Sequence, residues 1–353
     1  IEGGSQAPRR RRPPVNLGSS CADAQSMTLF AAPFGGALIM SLIACAFNWN
    51  RAPLPFGVDL MAGDMEIATG VRMPMVLNGI SKNHSAWLAA GGRGIDTAFL
   101  YGDAQQSAVG AAIAASGVPR EEIFLSTKAV CCPTLRCGSF CTSPPNPVGL
   151  PMNASVTQQF EHSLKLLGVD YVDMLLLHFP CTTLDATAAA YAELEAIHAT
   201  GKARAIGVSN LNASALAALL ERGVKVTPAV NQNALSIAGH PAAHDGKETF
   251  CEEGSRLYGA DMETVEACKE HGVAFAAYSP LGHISQVEVL GQPKVQAVAA
   301  RLGRSPAQVA MRWLVQQGIP VVTGTANPAH AKEALDLFGW RLSDKDMREL
   351  AAL

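Results

Sequence analysis

Four side chains in this sequence carry the groups needed to protonate an oxygen atom at neutral pH. Asp96 and Tyr101 lie in one short stretch, and Lys128 and His178 each end a later strand-like run. A phenol, with a pKa of about 10, is a poor acid at neutral pH, but a buried ammonium beside it lowers that pKa. A carboxylate can hold the ammonium, and a histidine can donate a hydrogen bond to a carbonyl oxygen. Together they predict a general acid that acts where negative charge develops on an oxygen.

Strand and helix patterns alternate along the part of the chain that carries these residues. A small hairpin turned by Thr69-Gly70 comes first. Eight strands are then predicted at residues 75–79, 94–98, 123–127, 172–177, 204–208, 228–231, 273–277 and 320–323. Helical patterns occupy residues 155–167, 186–199, 213–221, 262–271, 294–302 and 306–317, with a short one at 82–90 and another from Ser107.

This alternation predicts an α/β protein with a parallel sheet. Eight strand–helix units in roughly 290 residues predict a closed (β/α)8 TIM barrel, preceded by the β-hairpin. An open doubly wound sheet is the alternative, but its Gly-rich G-x-G-x-x-G turn after the first strand is missing.

In a barrel of this kind, functional residues lie at the carboxyl ends of the strands. Each polar residue at such an end has an ordinary structural interpretation when taken alone, such as a helix cap, a surface charge or a core histidine. Six strands that bring polar groups to one rim are harder to explain in that way. The polar residues at or just after the ends of these six strands are Asp96, Tyr101, Lys128, His178, Ser209, Asn210, Gln232 and Tyr278.

The motifs around these residues resemble those of the aldo/keto reductase family. They are Asp-Thr-Ala-x-x-Tyr-Gly, Ser-Thr-Lys, Leu-Leu-Leu-His-Phe-Pro, Ala-Ile-Gly-Val-Ser-Asn and Ala-Tyr-Ser-Pro-Leu-Gly, in family order within residues 64–353. The resemblance implies that Tyr101 donates a proton, Lys128 lowers the pKa of that tyrosine, and Asp96 holds the lysine. It also implies that His178 orients a substrate carbonyl, with Phe179 beside it in the substrate pocket.

The resemblance further implies a nicotinamide cofactor. Ser209, Asn210 and Gln232 would hold the nicotinamide amide, and Tyr278 would stack on its ring. Ser279 and Leu281 would line the path of the pyrophosphate.

The adenosine end of the cofactor site departs from the family pattern. Family members grip the 2′-phosphate of NADPH with Pro-Lys-Ser after the last strand and with a later arginine, and Gly324 and His330 stand at those positions here. Thr325 offers a hydroxyl, and Glu333 keeps an acidic position near the adenine. Because a cation is missing, we expect NADPH to be bound with weak discrimination against NADH.

Two long insertions follow the third and sixth barrel strands, at residues 131–151 and 238–258, and both would border the substrate pocket. They leave the identity of the carbonyl substrate open. The first insertion is crowded with Cys131, Cys132, Cys137 and Cys141, and Cys181 follows a later strand. The sequence has no pair of C-x-x-C spacings, so no metal site is predicted. Free thiols are expected, and a disulfide within the loop only if the domain lies in an oxidising compartment.

Residues 1–60 differ in composition from residues 61–353, which would form the barrel. The four arginines 9–12 and two prolines form a basic segment expected to be disordered. Residues 24–50 carry no charge and are apolar at their centre. We interpret them first as a targeting signal to an organelle, second as a signal anchor that associates with a membrane, and third as a buried helix. Without such a signal the protein would be cytoplasmic.

Two functions are compatible with these features. The first is NAD(P)H-dependent reduction of an aldehyde or ketone to an alcohol, with the proton from Tyr101. The alternative is a non-catalytic, nicotinamide-binding barrel that acts as a membrane-tethered accessory subunit. The net charge of −3, without a basic stripe outside the amino-terminal end, argues against nucleic acid as a partner.

Overall fold

The computed structural model describes residues 58–59, 63–135, 138–238, 261–282 and 288–353. The predicted amino-terminal segment lies outside these residues except for 58–59, and so do Cys137 and most of the second insertion. Within the described ranges, no helix is both long and apolar enough to cross a membrane.

The predicted hairpin consists of β1 (Asp64–Ala68) and β2 (Val71–Pro74), which pair antiparallel. Alternate side chains are buried, as expected for strands with one covered face; they are Met65, Ile67, Val71 and Met73. Arg204, near the start of the fifth barrel strand, donates a hydrogen bond to the carbonyl oxygen of Gly70 at 2.8 Å. The hairpin therefore lies at the amino-terminal end of the barrel strands.

Eight parallel strands close into a barrel in the order β10-β3-β4-β5-β6-β7-β8-β9. They are β3 (Val76–Asn78), β4 (Gly94–Asp96), β5 (Phe124–Ala129), β6 (Val172–Leu177), β7 (Ala203–Ser209), β8 (Val230–Ala234), β9 (Ala274–Tyr278) and β10 (Val321–Thr323). Every residue of β5 and β6 is buried, because barrel strands have side chains on one face and helices on the other. The predicted (β/α)8 barrel is confirmed, and each strand starts within two residues of its predicted position.

The helices follow the barrel strands along the chain, and side-chain caps set several of their starts. They are α1 (His84–Ala89), α2 (Asp103–Ala115), α3 (Gly138–Thr142), α4 (Val156–Leu167), α5 (Leu184–Ala199), α6 (Ala213–Glu221), α7 (Met262–Glu270), α8 (Pro293–Leu302), α9 (Pro306–Val315), α10 (Pro328–Leu335) and α11 (Asp344–Leu350). Ser155 and Ser305 form capping boxes at α4 and α9, and the side chain of Asn212 caps α6. The short first helix agrees with the shortened pattern in the sequence.

The prediction of free thiols is wrong for four cysteines. Cys131 forms a disulfide with Cys181, and Cys132 forms one with Cys141. The first bond arises because β5 and β6 are neighbours, so the loops that follow them leave the barrel side by side. Among the described cysteines only Cys268 is free, and it is buried.

Candidate active site

A buried lysine lies at the centre of the predicted catalytic group. β4 ends at Asp96, and its neighbour β5 brings Lys128 to the same rim, where Lys128 is only 1% exposed. The Nζ of Lys128 donates to Oδ2 of Asp96, to the carbonyl oxygen of Thr97 at 3.1 Å and to the hydroxyl of Tyr101 at 3.3 Å. All three ammonium hydrogens therefore have acceptors. The short 3-10 turn Phe99–Tyr101 brings the phenol back towards the lysine.

Burial and charge act in opposite directions on this pair. Burial alone would lower the pKa of Lys128, but the carboxylate of Asp96 and then Tyr101 raise it, and its pKa lies above the ordinary value. Burial raises the pKa of Tyr101, and the charge of Lys128 lowers it in part. The lysine thus acts in the predicted direction, but burial outweighs it and the pKa of Tyr101 is raised overall. Tyr101 therefore keeps its proton, and Lys128 its charge, throughout the neutral range.

Two further residues hold the carboxylate of Asp96. Its Oδ1 accepts hydrogen bonds from the hydroxyl of Ser126 and from Nε2 of Gln232, the latter at 3.2 Å. Sequence reasoning missed Ser126, although it lies two positions before Lys128 and so on the same face of β5. It assigned Gln232 to the nicotinamide, and the structure also joins this side chain to Asp96.

His178 lies beside Tyr101 at the end of β6. Its ring meets the Tyr101 ring edge-on, with centroids 5.8 Å apart, and stacks on Phe179 at 4.5 Å. Burial and then the charge of Lys128 hold the pKa of His178 well below its usual range. The imidazole is therefore neutral and has one N–H to donate. Its buried Nδ1 has no hydrogen-bond partner among the described residues, which leaves a polar atom at the rim unpaired.

The predicted nicotinamide residues form a hydrogen-bond network that reaches His178. Asn210 Nδ2 donates to the carbonyl oxygen of His178 at 2.9 Å and to the hydroxyl of Ser209 at 3.1 Å. The hydroxyl of Tyr278 donates to Oδ1 of Asn210 at 2.7 Å. Asn210 and Ser279 have φ values of 63° and 51°, which are strained for residues other than glycine and cluster at functional sites. These polar groups fit a nicotinamide amide, and half-buried Leu281 follows Ser279 along the same loop.

The residues predicted at the adenosine end lie on the segment after β10. The N–H of Thr325 donates to Oδ1 of Asn78 at 3.3 Å, and its carbonyl oxygen accepts from the hydroxyl of Ser81 at 2.6 Å. His330 is exposed on α10, and Glu333 is half-buried one turn later on the same helix. The structure therefore gathers Thr325, His330 and Glu333 around one loop and one helix.

Gly324 has a steric reason for being glycine. A Cβ added to it would lie 2.6 Å from the carbonyl oxygen of Ile80, in the loop after β3. A lysine at this position would therefore push the Ile80 backbone away. The departure from the family pattern at Gly324 is thus coupled to the loop after β3 by one close contact that the sequence does not reveal.

A closed parallel barrel that brings a lysine–carboxylate pair, a tyrosine and a histidine together at the carboxyl ends of its strands defines a TIM-barrel protein with an enzyme-like site. The sequence model of the aldo/keto reductase family matches residues 84–353. The chain belongs to the aldo/keto reductases, a family of oxidoreductases that use nicotinamide cofactors and reduce carbonyl compounds.

Individual relatives agree with this membership. An aldo-keto reductase of Mycolicibacterium paratuberculosis is 37% identical over 268 residues, which cover 76% of this chain and 79% of that protein. The 9,11-endoperoxide prostaglandin H2 reductase of Trypanosoma cruzi is 30% identical over 292 residues, 80% of this chain and 88% of that protein. The crystal structure of an aldo/keto reductase from Brucella melitensis has a TM-score of 0.64 and 28% identity, covering 82% of this chain and 98% of that one.

Proposed function

We propose that this protein reduces an aldehyde or ketone to the alcohol and that Tyr101 supplies the proton. The observation that carries the proposal is the buried ammonium of Lys128, which contacts both Asp96 and the hydroxyl of Tyr101. A bound NADPH or NADH would supply the hydride to the carbonyl carbon. The residues of this chain bind the substrate oxygen and deliver a proton to it.

The four side chains have distinct tasks in this scheme. The neutral imidazole of His178 donates a hydrogen bond to the substrate oxygen, with Phe179 beside it. Tyr101 transfers its hydroxyl proton as negative charge develops on that oxygen. The charge of Lys128 stabilises the resulting phenolate, and Asp96 holds the lysine in place. The four residues together lower the cost of placing negative charge first on the substrate and then on Tyr101.

We propose that the cofactor extends from the catalytic group to α10. Ser209, Asn210, Gln232 and Tyr278 would hold the nicotinamide, Ser279 and Leu281 the pyrophosphate, and Thr325, His330 and Glu333 the adenosine end. The strained backbone at Asn210 and Ser279 supports a binding role for this part of the rim. Discrimination between NADPH and NADH would be weak, because Gly324 provides no cation for the 2′-phosphate.

The alternative of a non-catalytic, membrane-tethered accessory barrel has no support from the relatives, which are named as reductases. The full chain, incubated with NADPH or NADH and a panel of aldehydes, ketones and sugars, should consume the reduced cofactor with at least one of them. The absorbance of the reduced nicotinamide measures the rate of this consumption. The Lys128→Met variant should lose most of that rate. Cofactor binding without turnover of any carbonyl would favour the accessory role instead.

A further inference from the structure

The first insertion is fastened at its start to the loop that carries His178. The disulfide Cys131–Cys181 joins the loop after β5 to the loop after β6. A backbone hydrogen bond from Thr182 to the carbonyl oxygen of Thr134, at 2.5 Å, ties the same two loops. The second disulfide, Cys132–Cys141, folds α3 back onto the start of the insertion. This half of the insertion is thus covalently held beside the substrate residues.

The other end of the insertion is fastened to the loop that carries Tyr101. The N–H of Asp103 donates to the carbonyl oxygen of Pro147 at 3.1 Å, and the N–H of Gly149 donates to Oδ2 of Asp103 at 2.9 Å. A Cβ added to Gly102, which follows Tyr101 directly, would lie 2.6 Å from the Cβ of Asn146. The insertion therefore spans the rim from the loop of the proposed acid to the loop of His178.

Phe140 lies between these two attachments, next to Cys141 on α3. Its ring meets Phe179 edge-on with centroids 5.8 Å apart, and Phe179 stacks on His178 at 4.5 Å. His178 in turn contacts the Tyr101 ring. Four rings thus run without interruption from the proposed acid to the insertion. Through this series of contacts Phe140 is connected to His178, the residue proposed to bind the substrate carbonyl, by way of Phe179.

We propose that Phe140 is a positioning residue that sets substrate specificity, and that the Cys132–Cys141 disulfide holds it in place. Phe140 braces Phe179 against His178, so the side of the pocket next to the imidazole is rigid and aromatic. Such a wall favours carbonyl compounds that carry an aromatic group over small aliphatic ones. This inference rests on the proposed reductase function.

The test compares two aldehydes, benzaldehyde and propanal, which share the reacting group and differ in the part that would meet the wall. In the full chain, Phe140→Ala should raise the KM for benzaldehyde about 10-fold, the scale expected for losing apolar contacts in a pocket. The KM for propanal and the cofactor Kd should change far less. Phe140→Tyr, which keeps the ring, should have a KM for benzaldehyde close to that of the wild type. Phe338→Ala, which removes a ring packed near Gly63 at the other end of the barrel, is the matched control.

A second variant tests the disulfide without touching the ring. Cys132→Ser/Cys141→Ser should shift the ratio of the two kcat/KM values in the same direction as Phe140→Ala. Treatment of the wild-type protein with dithiothreitol should do so too, because this dithiol is oxidised to its cyclic disulfide while each protein disulfide becomes two thiols. The double variant removes only the Cys132–Cys141 bond, whereas the reductant also opens Cys131–Cys181. Comparing the two therefore shows the effect of the Cys132–Cys141 bond alone.

The possible results separate a failure of the proposed function from a failure of the role proposed for Phe140. If the wild-type protein turns over no carbonyl compound, the proposed function fails. If it reduces aldehydes but prefers propanal, or if neither Phe140→Ala nor the double cysteine variant changes the ratio of kcat/KM values, the role of Phe140 is overturned and the reductase function stands. A matching shift in both variants, absent from Phe338→Ala, supports the inference. If one of the two variants folds poorly, the shift or its absence in the other variant decides.

Discussion

Lys128 is the residue on which the whole catalytic proposal depends. A buried ammonium is tolerated only when it is paired and its hydrogens are satisfied. Asp96, Thr97 and Tyr101 meet that requirement here, and Ser126 and Gln232 in turn hold the carboxylate of Asp96. This arrangement places the charge of Lys128 next to the hydroxyl of Tyr101. Removing that hydroxyl is therefore the most direct test of the proposal.

Tyr101→Phe should lower kcat for carbonyl reduction by about 10²–10⁴-fold, the contribution expected of a general acid. Cofactor binding should be nearly unchanged, because the ring keeps its contact with His178 and only the proton is lost. Steady-state kinetics and a fluorescence titration of the cofactor measure the two effects. Tyr171→Phe, which keeps the ring beneath Arg120, is the control. A variant of Tyr101 that retained most of its kcat would contradict the assignment.

His330→Arg should increase the preference for NADPH. His330 is exposed, so a longer side chain can be accommodated, and arginine carries a permanent charge with a fork suited to phosphate. A charge-assisted hydrogen bond contributes ~1.5–3 kcal/mol, which corresponds to about 10–100-fold in Kd. The Kd for NADPH should fall by this factor while the Kd for NADH stays constant. Lys332→Arg, two positions along the same helix, is the control. If His330→Arg changed the Kd values for NADPH and NADH equally, the 2′-phosphate would lie elsewhere.

At the scale of elements, the two ends of β6 have different tasks. His178 follows its carboxyl end, whereas Asp173, near its amino end, binds structural partners. The carboxylate of Asp173 accepts hydrogen bonds from Arg120 at 2.9 Å, from Arg204 at 2.8 Å and from the N–H of Leu125 at 3.0 Å. This buried acid therefore ties β5, β6 and β7 together at the bottom of the barrel, far from the proposed chemistry.

Asp173→Asn should destabilise the protein without impairing catalysis. Breaking a buried ion pair leaves its partner uncompensated and costs about 3–5 kcal/mol of unfolding free energy; the half-exposed Arg204 places the expected loss near the lower end. Urea denaturation measures the loss, and kcat/KM of the remaining folded protein should match that of the wild type. The control is Asp170→Asn, a substitution of an exposed acid just before the same strand. A large drop in kcat/KM would mean that Asp173 also shapes the site.

A histidine in the first turn of α1 should make stability depend on pH. His84 is buried, its ring nitrogens face the amides of Asn78 and Gln105, and burial lowers its pKa to about 4. In the unfolded chain the pKa of a histidine is about 6.5. Between these values the unfolded chain binds a proton that the folded protein does not, so the free energy of unfolding falls as the pH is lowered through this window.

The expected loss from this histidine is roughly 2–3 kcal/mol between pH 7 and pH 4. Other groups titrate in the same range, so the measurement is the difference between the wild type and His84→Gln in denaturation series at several pH values. The variant should lose less stability on acidification than the wild type. His271→Gln, at an exposed position, should behave like the wild type. Parallel curves for His84→Gln and the wild type would refute the link.

At the scale of the whole molecule, the disulfides and the amino-terminal composition both bear on the location of the protein in the cell. Disulfides persist in oxidising environments and are rare in the cytosol. Residues 24–50 are uncharged and follow a basic stretch, a composition typical of a targeting signal. We propose that residues 1–60 direct the chain to an oxidising compartment, where Cys131–Cys181 and Cys132–Cys141 form.

Fluorescent fusions of the full chain and of residues 61–353 test this proposal in cells. The full chain should be confined to a compartment, and the shortened chain should be diffuse in the cytosol. Alkylation of thiols before lysis, followed by mass spectrometry, should find Cys132 protected only in the full chain. A diffuse signal from both fusions, with Cys132 alkylated in both, would remove the idea of targeting.

The sequence by itself determined the barrel, and it predicted which residues meet in the proposed catalytic group. Alternating strand and helix periods require a parallel sheet, and all strands of a parallel barrel end at one rim. Asp96, Lys128 and His178 stand at strand ends, so their meeting follows from their positions along the chain, whatever the path of the loops. The bounds of β8 were less accurate, because the sequence around it has no clean alternation of polar and apolar residues.

Only the tertiary structure decided which distant segments touch. Periodicity places a residue on a face of its own strand or helix, but the path of a loop depends on the packing of everything beneath it. The pairing of Cys131 with Cys181, the contact of Gly324 with Ile80 and the place of Phe140 beside Phe179 all depend on such paths. The pKa of Tyr101 is a second property that only the tertiary structure decided. The sequence predicted that the charge of Lys128 would lower this pKa, but the burial that raises it, and outweighs that charge, arises only when the barrel closes.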